Sequence, residues 1–143
     1  IKSYLNKKVL IIRNPKHTRP WQHIFDVINS YTLIAWNVNK KNDNKFFTWN
    51  IGPLKEKEFS VKDIIKIITK RLNKKITIRI KKGNILEKQN LQLNSNKIYK
   101  TFKIKNKIDT INAITLTIDW YLNSSKNKNF SRNQLEDYLN EKY

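Results

Sequence analysis

The sequence predicts a mixed α/β fold, in which helices alternate with short strands within one small domain. Apolar residues recur at helical spacing in four segments, and short apolar or alternating runs lie between those segments. The chain has 143 residues, of which 38% are hydrophobic, and it includes four Trp and six Phe. That composition suits a packed core and not a disordered chain.

The first part of the chain predicts a strand, a stiff loop and a helix. The apolar run at 7–12, KKVLII, is typical of a short buried strand. Pro15 and Pro20 bracket a stiff loop, and Pro20 can occupy the first turn of the helix that follows. From Trp21 the spacing is helical, and the residues that share one helical face are Ile24, Val27, Ile28, Tyr31, Ile34 and Ala35. A polar loop at 39–45 follows.

The middle of the chain predicts a second strand, a second helix and a third strand. The run at 46–53, FFTWNIGP, indicates a strand that ends in a Gly-Pro turn. Ser60 is a good N-cap, with Asp63 three residues later in the capping-box position. The apolar stripe of this helix consists of Val61, Ile64, Ile65, Ile68 and Leu72. The alternating run at 76–80, ITIRI, predicts a half-exposed strand.

A turn and a third helix are expected next. Gly83 and Asn84 indicate the turn, and 91–95 is expected to be a short extended segment. Asp109 or Thr110 can cap the helix. The residues expected to face inward from it are Ile111, Ile114, Ile118, Tyr121 and Leu122.

The chain ends with a predicted linker and a fourth helix. Residues 124–129, SSKNKN, are typical of a flexible linker. The helix is expected to begin at Ser131, with Gln134 completing a capping box. Its predicted buried residues are Leu135, Tyr138 and Leu139.

The formal net charge of +19 leaves two interpretations open. A basic chain suits a phosphate-rich partner such as nucleic acid. Lys, Asn and Ile also share A/T-rich codons and are abundant together here, so the charge can equally reflect composition. Because the lysines are spread from Lys2 to Lys142, the pattern favours a solvated surface. A small basic nucleic-acid-binding module is kept as the less favoured alternative.

Several kinds of site are excluded by residue type. The chain has no Cys, and the spacing of His17 and His23 does not suit a metal pair on one helical face, so we predict no metal site. No apolar run is long enough to cross a membrane, and the N-terminus has no signal pattern, so a cytoplasmic protein is expected. Because the chain opens on Ile1 and contains no Met, we expect it to be part of a longer protein.

No catalytic or cofactor-binding residue is predicted in this chain. Its two glycines, Gly52 and Gly83, are too few for the glycine-rich loops that hold dinucleotides or nucleotide phosphates. Tyr-x-x-x-Lys is an acid–base pair of dehydrogenases, but matches are expected by chance in a chain with six Tyr and this much Lys. The three matches are Tyr4/Lys8, Tyr99/Lys103 and Tyr138/Lys142.

The loop before the first long helix is the candidate binding site. Arg19 stands between Thr18 and Pro20, so its guanidinium would be held in a fixed geometry that suits a phosphate. The start of the following helix adds free N–H groups and partial positive charge, and His23 is expected to face the loop. The alternative is that Arg19 pairs with an acidic residue such as Asp26, and that Trp21 is part of the core.

The run at 13–31, RNPKHTRPWQHIFDVINSY, carries a family resemblance. It is similar to the signature region of CDP-glucose 4,6-dehydratases, which are extended short-chain dehydrogenases of the NAD-dependent epimerase/dehydratase superfamily. The residues that fit the pattern are Arg13, Asn14, Pro15, Arg19, Pro20, Trp21, Gln22, His23 and Tyr31. The run from Arg19 to His23 is its specific part, because broader sugar-nucleotide enzymes tend to have Arg-Asp and an aromatic residue there.

The resemblance continues along the chain and covers it as the C-terminal half of a family member. The further matching runs are TWNIGP at 48–53, SVKDIIKII at 60–68, LQLNSNK at 91–97, IDWYL at 118–122 and FSRNQLEDY at 130–138. The sequence departs from the family pattern at three places. Asn94 replaces an Asp, Ser30 replaces a Gly, and FKIKN at 102–106 replaces L-G-W-x-P.

The resemblance implies a function for the whole protein and a role for this part. Residues 1–123 would be the substrate-binding lobe and 124–143 a linker and C-terminal helix, while an N-terminal Rossmann domain that binds NAD is absent from this chain. The parent enzyme, a cytoplasmic homodimer, would convert CDP-glucose to CDP-4-keto-6-deoxyglucose with loss of water, in deoxysugar and O-antigen biosynthesis. The segment alone would be inactive.

The resemblance also implies substrate-binding residues. Arg19 would hold the diphosphate of CDP-glucose, and Arg13 and Asn14 would lie near the base. His23 would support the Arg19 loop or the phosphates. Another nucleotide-sugar epimerase or dehydratase remains an open alternative for the parent protein.

Overall fold

The structure is a mixed α/β arrangement, which confirms the predicted fold class. A computed structural model describes residues 1–39, 47–54, 57–81 and 87–142. Within these ranges the helices are α1 (Lys2–Leu5), α2 (Ile24–Asn39), α3 (Val61–Leu72), α4 (Asn96–Phe102), α5 (Thr110–Asn123) and α6 (Phe130–Leu139). The strands are β1 (Leu10–Ile12), β2 (Thr18–Arg19), β3 (Phe59–Ser60) and β4 (Ile78–Ile80). The predicted turn at Gly83 and Asn84, and 40–45 of the predicted polar loop, lie outside the described residues.

The strands form two small pairs. β1 and β4 are parallel, with Leu10 opposite Ile78, and β2 and β3 are antiparallel, with Arg19 opposite Phe59. The first predicted strand forms as β1, but the prediction that it is buried is wrong, because Ile11 is 60% exposed and its two neighbours in the strand are only partly buried. All three residues of β4 are exposed, whereas the sequence predicted that only one face of this strand would be exposed.

The strand predicted over 46–53 is also wrong for the part that the structure describes, residues 47–53. This segment is irregular and carries no ladder. Aromatic packing holds this segment and not backbone pairing. The ring centroid of Trp49 lies 5.4 Å from that of Phe47, on which it stacks, and 5.2 Å from that of Phe102. The expected extended segment 91–95 forms no strand either. It reaches β2 through the Leu91 N–H, which donates to the Thr18 carbonyl at 3.4 Å.

The core lies between α3 and α5, and the capping predictions there are confirmed. One buried cluster consists of Ile64, Ile114 and Ile118, with Trp21 and Phe59 packed against it. The Ser60 hydroxyl accepts from the Asp63 N–H, and the Asp63 carboxylate accepts from the Ser60 N–H, which is the predicted capping box. Asp109 caps α5 by accepting from the Asn112 N–H at 2.8 Å.

Several predicted inward-facing residues lie at the surface. Ile111 on α5 is 51% exposed. On α6, Leu135 and Leu139 are exposed, whereas Tyr138 is buried as predicted. Tyr138 of α6 belongs to a second buried cluster, together with Ile108 and Ala113. The tyrosine, and not the leucines, therefore packs α6 against the rest of the structure.

The predicted capping box of α6 does not form. The helix begins at Phe130 after Asn129, with no side-chain cap, and the Ser131 hydroxyl instead accepts from the Trp120 indole at 2.8 Å. Gln134 is buried and donates to the Leu116 carbonyl at 3.0 Å. Both side chains therefore tie α6 to α5. The connection before it is a hydrogen-bonded turn, in which the Phe130 N–H donates to the Asn127 carbonyl.

The first long helix begins later than predicted. α2 starts at Ile24, so Pro20 and Trp21 precede it. The backbone N–H of Trp21 donates to the Arg19 carbonyl. The Trp21 indole donates to the Phe59 carbonyl at 2.9 Å, so Trp21 is held against β3 and is not part of α2. The Phe25 N–H donates to His23 Nδ1 at 3.3 Å, so His23 acts at the helix start.

The buried side of α2 is polar. Asp26 and Ser30 are 2% and 3% exposed, whereas Ile24, Ile28 and Tyr31 are all more than half exposed. The Asp26 carboxylate accepts from the N–H groups of Lys107 and Ile108 and from the Tyr138 hydroxyl. No helix in the described part of the chain has the length and apolar character needed to cross a membrane.

Candidate functional site

The loop that the sequence singled out borders a cavity. Arg19 and Trp21 line one side of it, and Lys57, Glu58, Gln92 and Leu93 are among the residues on the other sides. Its volume is about 170 Å³. The cavity thus brings together the β2 loop, the segment before β3 and the segment before α4, which are far apart in the sequence.

Local contacts hold Arg19 at this cavity. The β2–β3 pair places Arg19 opposite Phe59, and the Trp21 indole donates to the carbonyl of the same Phe59. Trp21 also packs against the core, as the alternative interpretation of the loop expected. Pro20 stands between these two anchored residues and restricts the backbone there. The guanidinium of Arg19 therefore starts from a rigid backbone.

The Arg19 guanidinium is itself well fixed. Its Nη1 donates to the carbonyls of Thr18 at 2.7 Å, Lys88 at 3.3 Å and Gln89 at 3.5 Å. Its Nη2 forms an ion pair with Glu87 Oε2 at 3.2 Å. Among the described residues these partners occupy both Nη groups, and His17 Nδ1 also lies 3.5 Å from Nη2. Arg19 therefore pairs with an acidic residue, as the alternative interpretation expected, but that residue is Glu87 and not Asp26.

Glu87 joins the residues that the sequence proposed as a site. Besides Arg19, its carboxylate accepts from Asn14 Nδ2 at 3.2 Å and lies 3.6 Å from Arg13 Nη2. His17 Nδ1 is 3.8 Å from the same carboxylate. The structure therefore brings Arg13, Asn14 and Arg19 together around one negative charge.

Sequence reasoning missed Glu87 and its cluster. The ion pair between Arg19 and Glu87 joins residues that are 68 positions apart, so no local sequence pattern predicts it. One signal was available, because Glu87 is the sole acidic residue between Asp63 and Asp109 in a strongly basic chain. A lone carboxylate among lysines is a candidate for a specific ion pair.

His23 lies away from the Arg19 cavity. It is 6% exposed, its ring packs on Phe25 at 4.8 Å, and it lines a separate cavity with Trp120, Tyr121 and Gln134. Burial lowers the pKa of His23 below its usual value, and the nearby Asp26 charge opposes that shift. A neutral ring suits its role of accepting the Phe25 N–H.

Gly52 packs closely against the segment before α4. Gly52 is the glycine that the structure describes, and a Cβ there would lie 3.0 Å from Leu93 Cβ and 3.3 Å from Ser95 Oγ. That glycine makes room for neighbouring side chains and not for a phosphate. The residues 1–39, 47–54, 57–81 and 87–142 also contain no group of three or more His, Cys, Asp or Glu side chains that could hold a metal ion.

The Tyr138/Lys142 match is engaged in other contacts. The Tyr138 hydroxyl donates to Asp26 at 3.0 Å, while Lys142 bonds to Asp137. Burial, with the Asp26 charge beside it, raises the pKa of Tyr138 far above its ordinary value. This tyrosine is therefore a structural donor.

Comparison with known proteins gives a likeness of fold. A UDP-glucuronic acid 4-epimerase from Bacillus cereus, solved with UDP-glucuronic acid and NAD, has a TM-score of 0.65 and 20% identity, over 80% of this chain and 35% of that one. A dTDP-glucose 4,6-dehydratase from Bacillus anthracis, solved with NAD, has a TM-score of 0.70 and 18% identity, over 90% and 40%. A UDP-glucose 4-epimerase from Bifidobacterium longum, solved with NAD+ and UDP, has a TM-score of 0.68 and 17% identity, over 86% and 36%.

These neighbours are two sugar-nucleotide epimerases and one dehydratase, all solved with NAD, and this chain has the fold of a part of them. It spans 35% to 40% of the length of these three neighbours. No family model matches the sequence, and no curated protein does.

Proposed function

We propose that this chain is the substrate-binding part of a nucleotide-sugar enzyme, and specifically of a CDP-glucose 4,6-dehydratase. The observation that carries the proposal is the cavity beside Arg19, in a fold shared with enzymes solved with UDP-glucuronic acid or UDP. The Arg-Pro-Trp-Gln-His run supports the narrower assignment, because it resembles that family specifically.

In this proposal Arg19 and Lys57 hold the diphosphate. Arg19 is held by three backbone carbonyls, so little side-chain freedom is lost when an anion binds beside it. Lys57 lines the same cavity, with its ammonium 5.9 Å from the Phe59 ring centroid. Two guanidinium groups, from Arg13 and Arg19, share the single Glu87 carboxylate, so this cluster keeps one surplus positive charge for a phosphate.

The remaining proposed residues take supporting positions. Arg13 and Asn14 are assigned to the side of the nucleotide base, held in register by Glu87. His23 is assigned an indirect role, because it fixes the start of α2, four residues after Arg19. The NAD-binding and catalytic residues belong to a part of the parent protein outside this chain. The parent is proposed to be a cytoplasmic homodimer, and the chain alone would not catalyse.

The test is calorimetric titration of the natural gene product with CDP, UDP and dTDP. We expect CDP to bind best and Arg19→Ala to weaken it by about 1.5–3 kcal/mol, which is the range for a hydrogen bond to a charged group. Arg19→Lys should restore only part of the affinity, since an ammonium lacks the planar fork. Arg132→Ala is the matched control, because Arg132 forms an exposed pair with Glu136 on α6.

Three results would contradict the proposal in different ways. Unchanged affinity in Arg19→Ala removes the diphosphate role from Arg19. Tighter binding of UDP or dTDP than of CDP replaces the narrow assignment with another nucleotide-sugar enzyme. Tight, salt-sensitive binding to duplex DNA with no nucleotide binding favours a basic nucleic-acid-binding module instead.

A further inference from the structure

A second cavity, separate from the one beside Arg19, is lined by lysines. Its volume is about 360 Å³, and Lys103, Lys105 and Lys107, from the segment between α4 and α5, line it together with Glu141. The described residues that line the two cavities are different ones. Among those of the second cavity, three lysines stand against one carboxylate, so this cavity carries two surplus positive charges.

The segment that carries the lysines is anchored by the residues between and after them. The three lysines are exposed, whereas Ile104 and Ile108 are 7% and 1% exposed. The N–H groups of Lys107 and Ile108 donate to the buried Asp26 carboxylate at 2.9 and 3.2 Å. The backbone that presents the ammonium groups is therefore fixed before a ligand binds, which lowers the entropy cost of binding.

Lys103 has a backbone conformation that favours glycine. It follows α4 with φ 59° and ψ 20°, in the left-handed region, and its N–H donates to the Tyr99 carbonyl at 2.8 Å. Gly is the usual residue at such a helix end, because a Cβ is strained there. The L-G-W-x-P pattern that FKIKN replaces also has Gly at this position. A strained residue whose side chain lines a cavity indicates a role for that side chain.

The lysines are only partly neutralised by their neighbours. Lys107 Nζ pairs with Glu141 Oε1 at 2.9 Å and lies 5.2 Å from the Tyr138 ring centroid. The hydrogen bond and charge of Lys107, with the charge of Lys105, lower the pKa of the Glu141 carboxyl below its ordinary value. Lys103 and Lys105 form no ion pair with any residue in the described part of the chain. The cavity thus already stabilises one negative charge at its edge and has positive charge left for another.

We propose that the cavity beside Lys103, Lys105 and Lys107 binds a small anion that carries two phosphate groups. Two surplus positive charges complement such an anion, and lysine ammonium groups bind phosphate as point charges. A volume of about 360 Å³ lies at the lower end of the range for small-molecule sites. This site is separate from the Arg19 cavity and does not rest on the proposed function.

The test is calorimetric titration of the natural gene product with inorganic pyrophosphate, at constant ionic strength and without divalent metal ions. Lys103→Gly and Lys105→Gln each remove one ammonium group from the cavity. Lys126→Gln is the matched control, because it removes the same charge from the exposed turn before α6. Each titration is repeated in an Arg19→Ala background, which removes the guanidinium of the first cavity. Thermal unfolding of every variant is measured alongside.

We expect Lys103→Gly and Lys105→Gln each to weaken pyrophosphate binding by about fivefold in both backgrounds, which is the upper end for a partly exposed ion pair. Glu141→Gln should tighten binding, because it frees the Lys107 ammonium for the ligand. Lys103→Gly should also raise the thermal midpoint by about 2 °C or more, because glycine relieves the left-handed backbone. A variant that stabilises the fold and weakens binding separates the role of the Lys103 side chain from packing.

Four results would overturn the proposal. The first is no binding of pyrophosphate, and the second is the same affinity in Lys103→Gly and Lys105→Gln as in Lys126→Gln. The third is loss of pyrophosphate binding in Arg19→Ala, because the ligand then occupies the first cavity. The fourth is a single-stranded oligonucleotide that binds more tightly than pyrophosphate and is weakened by the same lysine variants, since the lysines then form a nucleic-acid surface.

Discussion

The buried carboxylate of Asp26 offers the sharpest test of the structure. Asp26→Ala removes the acceptor for three donors at once: the N–H groups of Lys107 and Ile108 and the hydroxyl of Tyr138. Ile108 and Tyr138 are 1% and 2% exposed, so water cannot replace the lost acceptor for those two donors without rearrangement. The substitution also removes the hydrogen bonds that join α2 to α6 and to the turn before α5.

The expected cost follows from the number of donors left unpaired. A buried donor without a partner costs about 1–3 kcal/mol, so two of them cost about 2–6 kcal/mol. That is a large part of the roughly 5–15 kcal/mol by which a domain is stable. Tyr138→Phe removes a single donor and leaves Asp26 with its two N–H partners, so we expect a loss of about 1.5–3 kcal/mol.

The assay is urea unfolding of each variant, followed by circular dichroism. Asp137→Ala is the control, because Asp137 forms an exposed pair with Lys142 and should cost less than about 1 kcal/mol. In the double variant of Asp26 and Tyr138, the two losses should not add, since both remove the same bond. If Asp26→Ala costs no more than the Asp137 control, the carboxylate does not hold α2 and the described orientation is wrong.

Three other predictions concern stability. Gly52→Ala should destabilise by about 1–3 kcal/mol in thermal unfolding, because the new methyl would stand 3.0 Å from Leu93 Cβ and 3.2 Å from Leu93 Cδ1. The same change should cost less in a Leu93→Gly background, which lacks both atoms, and an equal cost there would contradict the clash. Ser60→Ala should cost about 1 kcal/mol by thermal unfolding, through loss of the cap to Asp63, and a neutral result would mean that the capping box adds nothing. The pKa of His23 is lowered in the folded protein, so the unfolded chain binds a proton at this residue first, and the free energy of unfolding should fall as the pH drops below about 6.5. His23→Asn should weaken this pH dependence in urea titrations at several pH values. An unchanged dependence of the free energy of unfolding on pH would refute the prediction.

The elements that sequence reasoning predicted well are those defined by neighbouring residues. α3 and α5 begin where their caps predict, because Ser60 and Asp109 bond to N–H groups three residues away. The strands predicted at 7–12 and 76–80 contain β1 and β4. The strand predicted at 46–53 does not form in its described part, and β2 and β3 were not predicted, because a strand needs a partner that the local pattern does not contain. Residues 47–53 are an example, because this segment pairs with no strand and Trp49 packs on the aromatic rings of Phe47 and Phe102.

The candidate site shows the same division. The stiffness around Pro20 and the family-like run at 13–31 were visible in the sequence, and they directed attention to Arg19. Which acid pairs with Arg19 was not visible, because Glu87 approaches it only when the segment before α4 folds back onto β2. Lys57 reaches the same cavity by an equally long-range route.

The amino-acid sequence by itself determined that α3 and α5 form and where they begin, because periodicity and capping act within a few residues. It also determined that this chain contains too few glycines for a dinucleotide loop. Only the tertiary structure decided which side of each helix is buried. Asp26 and not Ile28 faces inward, because three donors from distant segments converge on its carboxylate. Ile24, Ile28 and Tyr31 lie on the exposed side of α2 for the same reason.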